Sequence, residues 1–169
     1  MALSSTLAVS AFTELTGASG LGTARVPAGL SRAVTLASGT GAGRADRAYT
    51  ARRTIAASGT DDLDLAGVLT DALGGTITYA RIKGLFIAAA AANQNNVVIG
   101  NATSNAWATL LNATGTVTLR PGAVLAAVAG SADATAYGVT AATGDVLRIA
   151  NSGGGSTVSY DICIVGASA

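Results

Sequence analysis

Histidine is absent from the sequence, and cysteine and proline are nearly so, with one Cys and two Pro in 169 residues. Without histidine, the chain lacks the commonest general base and metal ligand, and it cannot form Ser-His-Asp or Cys-His catalytic arrangements by itself. A single cysteine excludes a disulfide within the chain. We therefore expect a protein that is not an enzyme and that uses no cofactor.

Long apolar runs and strong net charge are also missing. The longest apolar run, residues 84–92, is about half of what a membrane span needs, so we expect no membrane insertion. Residues 1–12 are weakly apolar but carry no basic residue ahead of the apolar ones, so we do not expect a signal peptide. The formal net charge is +1. These features predict a soluble chain made in a cytoplasm.

Alanine, glycine, threonine and the aliphatic residues dominate what is present, with 22 glycines and only two Phe, four Tyr and one Trp. Glycine and small polar residues at short intervals favour many tight turns. Between them, from residue 50 onward, about eight short segments have strand character, and no long amphipathic helix separates them. This spacing predicts an all-β fold, an antiparallel β-sandwich of jelly-roll-like type.

Four of these segments carry specific expectations. Residues 158–164 alternate, with Val, Tyr and two Ile on one face. Residues 84–92 are apolar on both faces, which fits a buried central strand or an alanine-rich helix. Residues 107–111 are a strand candidate. Residues 145–150 and 157–165 are expected to pair with each other across a glycine-rich turn.

The first 49 residues differ from the rest. Two short strand candidates, residues 6–12 and 30–37, lie among glycine-rich breaks, and together they offer little core. We interpret residues 1–49 as an extended arm that is stabilised by a partner or by the main domain, with a disordered tail as the alternative. Residues 50–169 are then the β-sandwich domain.

Basic residues are concentrated in residues 25–53, which hold six arginines and one acid, Asp46. Such a segment can dock on an acidic surface, or it can be a solvated arm with scattered charges. Nucleic-acid binding is not expected, because Tyr49 is the only aromatic residue interleaved with the arginines. Trp107 fits an interface anchor or a core position equally well. The candidate docking residues are Arg25, Arg32, Arg44, Arg47, Arg52, Arg53 and Trp107.

Acidic residues cluster at Asp61, Asp62, Asp64 and Asp71. Carboxylates at this spacing can bind calcium, but the ordered ligand ladder and closing Glu of an EF-hand are missing. A solvated turn or salt bridges to the arginine-rich segment fit the cluster better. Cys163 lies in an alternating strand and is expected to be a sheet-face thiol.

Several stretches of residues 44–169 resemble small structural proteins of tailed-phage virions, of the capsid decoration or cement type. The stretches are AASGTDDLDLAGVLTD (56–71), Ile82-Lys83, TLRPGAV (118–124), YGVTAATGDVLRIANSGGG (137–155) and VSYDICIVG (158–166).

The resemblance implies a virion component, made in the host cytoplasm, with no catalytic site. Its expected task is to bind the major capsid protein and stabilise the head shell. Alternatives are a tail, connector or baseplate component, or a module that binds host-surface carbohydrate. We also expect self-association, with a trimer favoured, because the edge strands of a sheet with little charge need covering.

Overall fold

The computed structural model describes residues 2–169, and these residues form fourteen β-strands and no helix. The strands are β1 (Ser5–Ser19), β2 (Gly22–Ser38), β3 (Arg44–Ala45), β4 (Arg47–Ile55), β5 (Thr60–Asp64), β6 (Leu69–Thr70), β7 (Thr76–Ile77), β8 (Arg81–Ala89), β9 (Val97–Gly100), β10 (Thr116–Leu119), β11 (Val124–Val128), β12 (Tyr137–Gly138), β13 (Val146–Asn151) and β14 (Val158–Ala167). The all-β prediction is confirmed.

Eight of the strands form a sandwich of two antiparallel sheets. The first sheet has the order β11-β8-β14-β4, and β12 adds to β8; the second has the order β10-β9-β13-β5. Along the chain β4 lies in the first sheet, β5 in the second, β8 in the first, β9 and β10 in the second, β11 in the first, β13 in the second and β14 in the first. This alternation between two four-stranded sheets is the connectivity of a jelly roll.

The core lies between the two sheets because one face of each strand is apolar. In β14 Val158, Tyr160, Ile162 and Ile164 are buried, and the residues between them point outward, as the sequence predicted. The helix alternative for residues 84–92 is excluded, because residues 84–89 belong to β8, which lies between β14 and β11.

Two expectations for individual segments were wrong. Residues 107–111 form turns instead of a strand. The segments 145–150 and 157–165 do not pair, since β13 bonds to β5 and β9 in the second sheet while β14 bonds to β4 and β8 in the first. The glycine-rich turn between them crosses from one sheet to the other, so it does not close a hairpin.

The N-terminal segment forms one long antiparallel hairpin, which we call the hairpin arm (residues 5–38). Its strands β1 and β2 make 15 cross-strand pairs, from Ser5 with Leu36 to Ser19 with Gly22. The short strand β3 pairs in parallel with the end of β2 and leads into β4. The hairpin arm ends at Ser38, and the first strand of the sandwich, β4, begins at Arg47.

Candidate docking surface

The hairpin arm projects from the sandwich into solvent. At about 3.4 Å per residue, β1 spans about 50 Å. Every residue from 8 to 33 is exposed. An isolated two-stranded hairpin is at best marginally stable in water, and within residues 2–169 nothing covers this part of the arm.

The two faces of the arm differ in chemistry. Residues directly opposite each other in an antiparallel pair point to the same side. One side, which we call the apolar arm face, therefore carries Val9, Ala11, Thr13, Leu15, Ala24, Val26, Ala28 and Leu30, with Arg32 as its only charge. The opposite side carries mostly polar residues, with the Glu14–Arg25 ion pair (3.3 Å) and Phe12 among them.

The apolar arm face continues into a buried anchor. Leu7 and Leu36 of the arm pack with Ala45 and Val165 in a small core on the outer face of the first sheet. Leu36 is 1% exposed. Phe86, Val128 and Cys163 of the sheet, with Leu3 and Val34, line the rim of this core. A Cβ at Gly84 would collide with the buried side chain of Leu7, which would then have to shift within the anchor.

The rest of the same outer sheet face is only partly covered. Next to the anchor, the register of the four strands places Val124, Ala88, Asp161 and Arg52 in one row and Ala126, Phe86, Cys163 and Thr50 in the other, and Phe86 and Cys163 also pack against the anchor. Val124, Asp161, Arg52 and Thr50 are exposed, and Ala88, Ala126, Phe86 and Cys163 are half-buried. We call these two rows the open sheet face.

The six candidate arginines do not form one basic arm. Arg25 and Arg32 lie on opposite faces of the hairpin, whereas Arg47, Arg52 and Arg53 belong to β4. Arg44 in β3 donates to the Ser38 carbonyl at 2.9 Å, and Arg47 pairs with Asp46 at 3.1 Å. Four of the six arginines therefore make their hydrogen bonds at the base of the arm or within the sandwich, where the carbonyl and carboxylate acceptors lie.

Arg53 and Asp61 form a partly buried network at the edge of the sandwich. Arg53 donates from Nε and Nη2 to the two carboxylate oxygens of Asp61, at 2.5 and 2.8 Å, and from Nη1 to the hydroxyl of Tyr49 at 3.0 Å. The hydroxyl of Tyr160 donates to Asp61 Oδ2 at 2.7 Å. The network joins β4 and β14 of the first sheet to β5 of the second.

The electrostatics of this network follow from its contacts. Burial alone would raise the pKa of Asp61, but the hydrogen bonds from Arg53 and Tyr160 outweigh burial and leave that pKa below its usual value. Burial first, and then the Asp61 carboxylate, raise the pKa of Tyr160. The hydrogen bond to Asp61 raises the pKa of Arg53. The groups are thus held in one charge state, which suits a structural tie between sheets.

The other acidic residues of the cluster point to separate partners. Asp62 makes a bidentate pair with Arg148 at 2.7 Å on the outer face of the second sheet. Asp64 accepts from the amide of Ala66, and Asp71 from two amides of the turn that follows it. In residues 2–169 no group of three His, Cys, Asp or Glu side chains is placed to hold a metal ion.

Trp107 and Cys163 both serve packing within the chain. Trp107 is 5% exposed, donates from Nε1 to the Gly138 carbonyl at 2.8 Å and packs edge-on against Tyr137. Of the two alternatives for Trp107, the structure therefore shows the core position. Burial raises the pKa of the Cys163 thiol, so its reactive thiolate form is disfavoured.

Sequence reasoning missed the residues of the apolar arm face. Their signal is the alternation of apolar and polar residues around Leu7, Val9 and Ala11, and again around Val26, Ala28 and Leu30. It was too weak to predict a continuous strand because alanine, glycine and threonine interrupt it. Pairing of β1 with β2 brings the two weak stripes onto one face.

Comparisons with known proteins add no identification. No protein-family model, curated protein or solved structure matches the chain. Among residues 2–169 there is also no helix with the length and apolarity to cross a membrane.

Proposed function

We propose that the chain is a structural protein of a tailed-phage virion, a capsid decoration or cement protein that binds the major capsid protein and stabilises the head shell. The resemblance within residues 44–169 supports the virion setting. The exposed hairpin arm supports a part in an assembly, because a two-stranded hairpin of this length is at best marginally stable without a packing partner.

The observation that carries the proposal is the hairpin arm with its uncovered apolar arm face. Leu15 and Leu30 are 75% and 60% exposed although they lie on the same face as the buried Leu7 and Leu36. Burying apolar surface lowers the free energy of the bound state by about 25 cal/mol per Å² of surface removed from water. In an assembled particle a second copy of the chain covers this face, so that the arms join the copies that together bind the shell and stabilise it by linkage.

Copy number in purified virions tests the proposal. A decoration protein follows the symmetry of the shell, so we expect on the order of hundreds of copies per particle by quantitative mass spectrometry. A copy number of about six or twelve contradicts the capsid assignment and favours a tail, connector or baseplate component. Absence of the chain from purified virions overturns the virion role altogether.

Binding to head shells tests the part played by the arm. Joining Ser10 to Ser31 through an Asn-Gly turn removes residues 11–30 and keeps Leu7 and Leu36 in the anchor. This shortened protein should keep the circular dichroism spectrum and unfolding midpoint of the sandwich but should no longer sediment with head shells that lack the natural protein. Sedimentation equal to that of the full chain would contradict a role for the arm. The matched control is Phe12→Ser, which changes the opposite face of the arm and should bind normally.

A further inference from the structure

We propose that the apolar arm face of one copy of this chain is covered by the open sheet face of a second copy, so that the copies exchange arms in a closed homo-oligomer. The inference rests on the proposed function for its setting in a virion, but its partner is argued from the arm and the sheet alone.

The first argument is continuity with packing that already exists. Leu7, Leu36 and Val34 of the arm pack on the outer face of the first sheet, against Phe86, Val128 and Val165. The open sheet face is the continuation of this surface, one and two residue rows away from Val128 and Val165. At the base of the arm, the apolar arm face already packs on the outer face of the first sheet of its own chain. We infer that the exposed part of this face packs on the outer sheet face of a neighbouring copy.

The second argument is that each copy has one of each surface. Residues 8–33 are exposed, so the chain's own arm leaves its open sheet face uncovered except where Phe86 and Cys163 pack against the anchor. Every copy therefore offers one uncovered arm and one uncovered sheet. If the arm of each copy contacts the sheet of the next copy, every arm and every sheet is covered only in a closed assembly, such as a reciprocal pair or a ring of three.

Charge supports the same pairing. Arg32 is the one charged side chain on the apolar arm face, and among residues 2–169 its recorded hydrogen bond goes only to the Ser31 carbonyl. The open sheet face contains Asp161, whose carboxylate remains 51% exposed in its pair with Arg52. Each carboxylate oxygen can accept a further hydrogen bond, so Arg32 of a neighbour can join this pair without displacing Arg52.

The area is sufficient for a specific interface. From Val9 to Ser19 the arm is about 37 Å long and about 10 Å wide, which gives roughly 370 Å² on its apolar face. The open sheet face is smaller, with four strands across about 19 Å and two rows along about 14 Å, which gives roughly 260 Å². Covering this much of the arm buries roughly 520 Å² per arm, and two exchanged arms bury roughly 1,000 Å². This value reaches the lower limit for a specific protein interface.

The mass of the purified chain in solution, without head shells, is the first test. Light scattering should give two or three times the single-chain mass of 16.3 kDa. Leu15→Ser should raise the concentration at which the oligomer dissociates by at least about tenfold. Phe12→Ser is the matched control, since Phe12 is equally exposed at 73% but lies on the other arm face, and it should leave the mass unchanged. A single-chain mass for the natural sequence overturns the inference.

A disulfide test identifies the surface that is covered. Cys163 is the only natural cysteine and lies on the open sheet face. With an added thiol oxidant at alkaline pH, Leu30→Cys on the apolar arm face should form a disulfide to Cys163 of a second copy, and this cross-linked product should disappear when Cys163→Ser is added. Ser31→Cys, on the polar arm face, should not cross-link. A cross-link that persists with Cys163→Ser means that arms pair with arms and overturns the assignment of the sheet.

The two sets of experiments fail separately. An oligomer of arm-exchanged copies that is absent from purified virions refutes the proposed function and leaves the inference intact. A single-chain mass for a protein that is present in hundreds of copies per virion does the reverse.

Discussion

Removing the Asp61 carboxylate is expected to destabilise the sandwich far more than removing the other two acids that form bidentate arginine pairs. The three pairs have the same chemistry but differ in exposure. In the Arg53–Asp61 pair the side chains are 35% and 15% exposed, against 16% and 42% for Arg148–Asp62 and 74% and 51% for Arg52–Asp161. The chain therefore contains its own matched controls.

The magnitude follows from the bonds that are lost. Asp61 accepts two hydrogen bonds from Arg53 and one from the Tyr160 hydroxyl. In Asp61→Asn one oxygen remains as an acceptor, while the new amide donor faces groups that are donors themselves. A hydrogen bond to a charged group contributes roughly 1.5–3 kcal/mol, and the exposure of Arg53 to water recovers part of the loss, so we expect a cost of about 2–3 kcal/mol. For Asp161→Asn, whose pair with Arg52 is fully open to solvent, we expect no measurable change in stability, and for Asp62→Asn about 1 kcal/mol.

Urea unfolding of the three variants measures this order. With a slope of about 2 kcal/mol per M, Asp61→Asn should lower the unfolding midpoint by about 1 M, and Asp161→Asn should leave it nearly unchanged. Because the folded protein lowers the pKa of Asp61, the stabilisation is fully present above the unfolded-state pKa of about 3.9 and is lost as the pH falls through the lower folded-state pKa. The difference between natural protein and Asp61→Asn should therefore shrink below pH 4. Costs within about 0.5 kcal/mol of each other for all three variants would refute the reasoning.

Three further predictions concern the arm anchor and Trp107. Leu36→Ala should lower the free energy of local unfolding of the anchor by about 3 kcal/mol. Hydrogen exchange of the amides at the base of β1 and β2 should then accelerate roughly 100-fold, while β14 keeps its protection. Gly84→Ala should make the arm more sensitive to limited proteolysis by displacing Leu7, whereas Gly130→Ala, whose added Cβ meets nothing within 4 Å, should not. Trp107→Phe should remove the hydrogen bond to the carbonyl of Gly138, lower the urea midpoint by about 0.5–1 M and leave the oligomeric mass unchanged.

Strand identity in the sandwich was predictable where one face of a strand is buried. The alternation in residues 158–164 defines both the strand and its inward face, because a shift by one residue would expose every apolar side chain. Residues 116–119 follow the same rule, with Leu119 buried and both threonines exposed. In these strands the periodicity alone carries the information.

Strand pairing was less predictable, since it depends on contacts that are distant in the sequence. Residues 151–155 resemble a hairpin turn, but Asn151 is buried and its amide donates to the carbonyls of Ala56 and Ser156. The amide of Asn95 also donates to Asn151, at 3.0 Å. These bonds tie the turn to loops of both sheets and direct β14 into the first sheet. No local pattern encodes partners that are 50 to 100 residues away.

The arginine-rich segment shows most clearly how a local tally of charge misleads about function. Six arginines against one acid in residues 25–53 suggested a basic docking arm, but the packing of the two sheets places Asp61 beside Arg53, and the pairing of β14 with β4 places Asp161 beside Arg52. What remains on the hairpin is Glu14 paired with Arg25, and Arg32 alone on the apolar face. Exposed ion pairs contribute little to stability, whereas a row of exposed Val and Leu side chains gains free energy in proportion to the area that a partner covers. The arm is therefore suited to docking by its apolar face, with Arg32 to align it, and the positive charge of the segment belongs mainly to the sandwich.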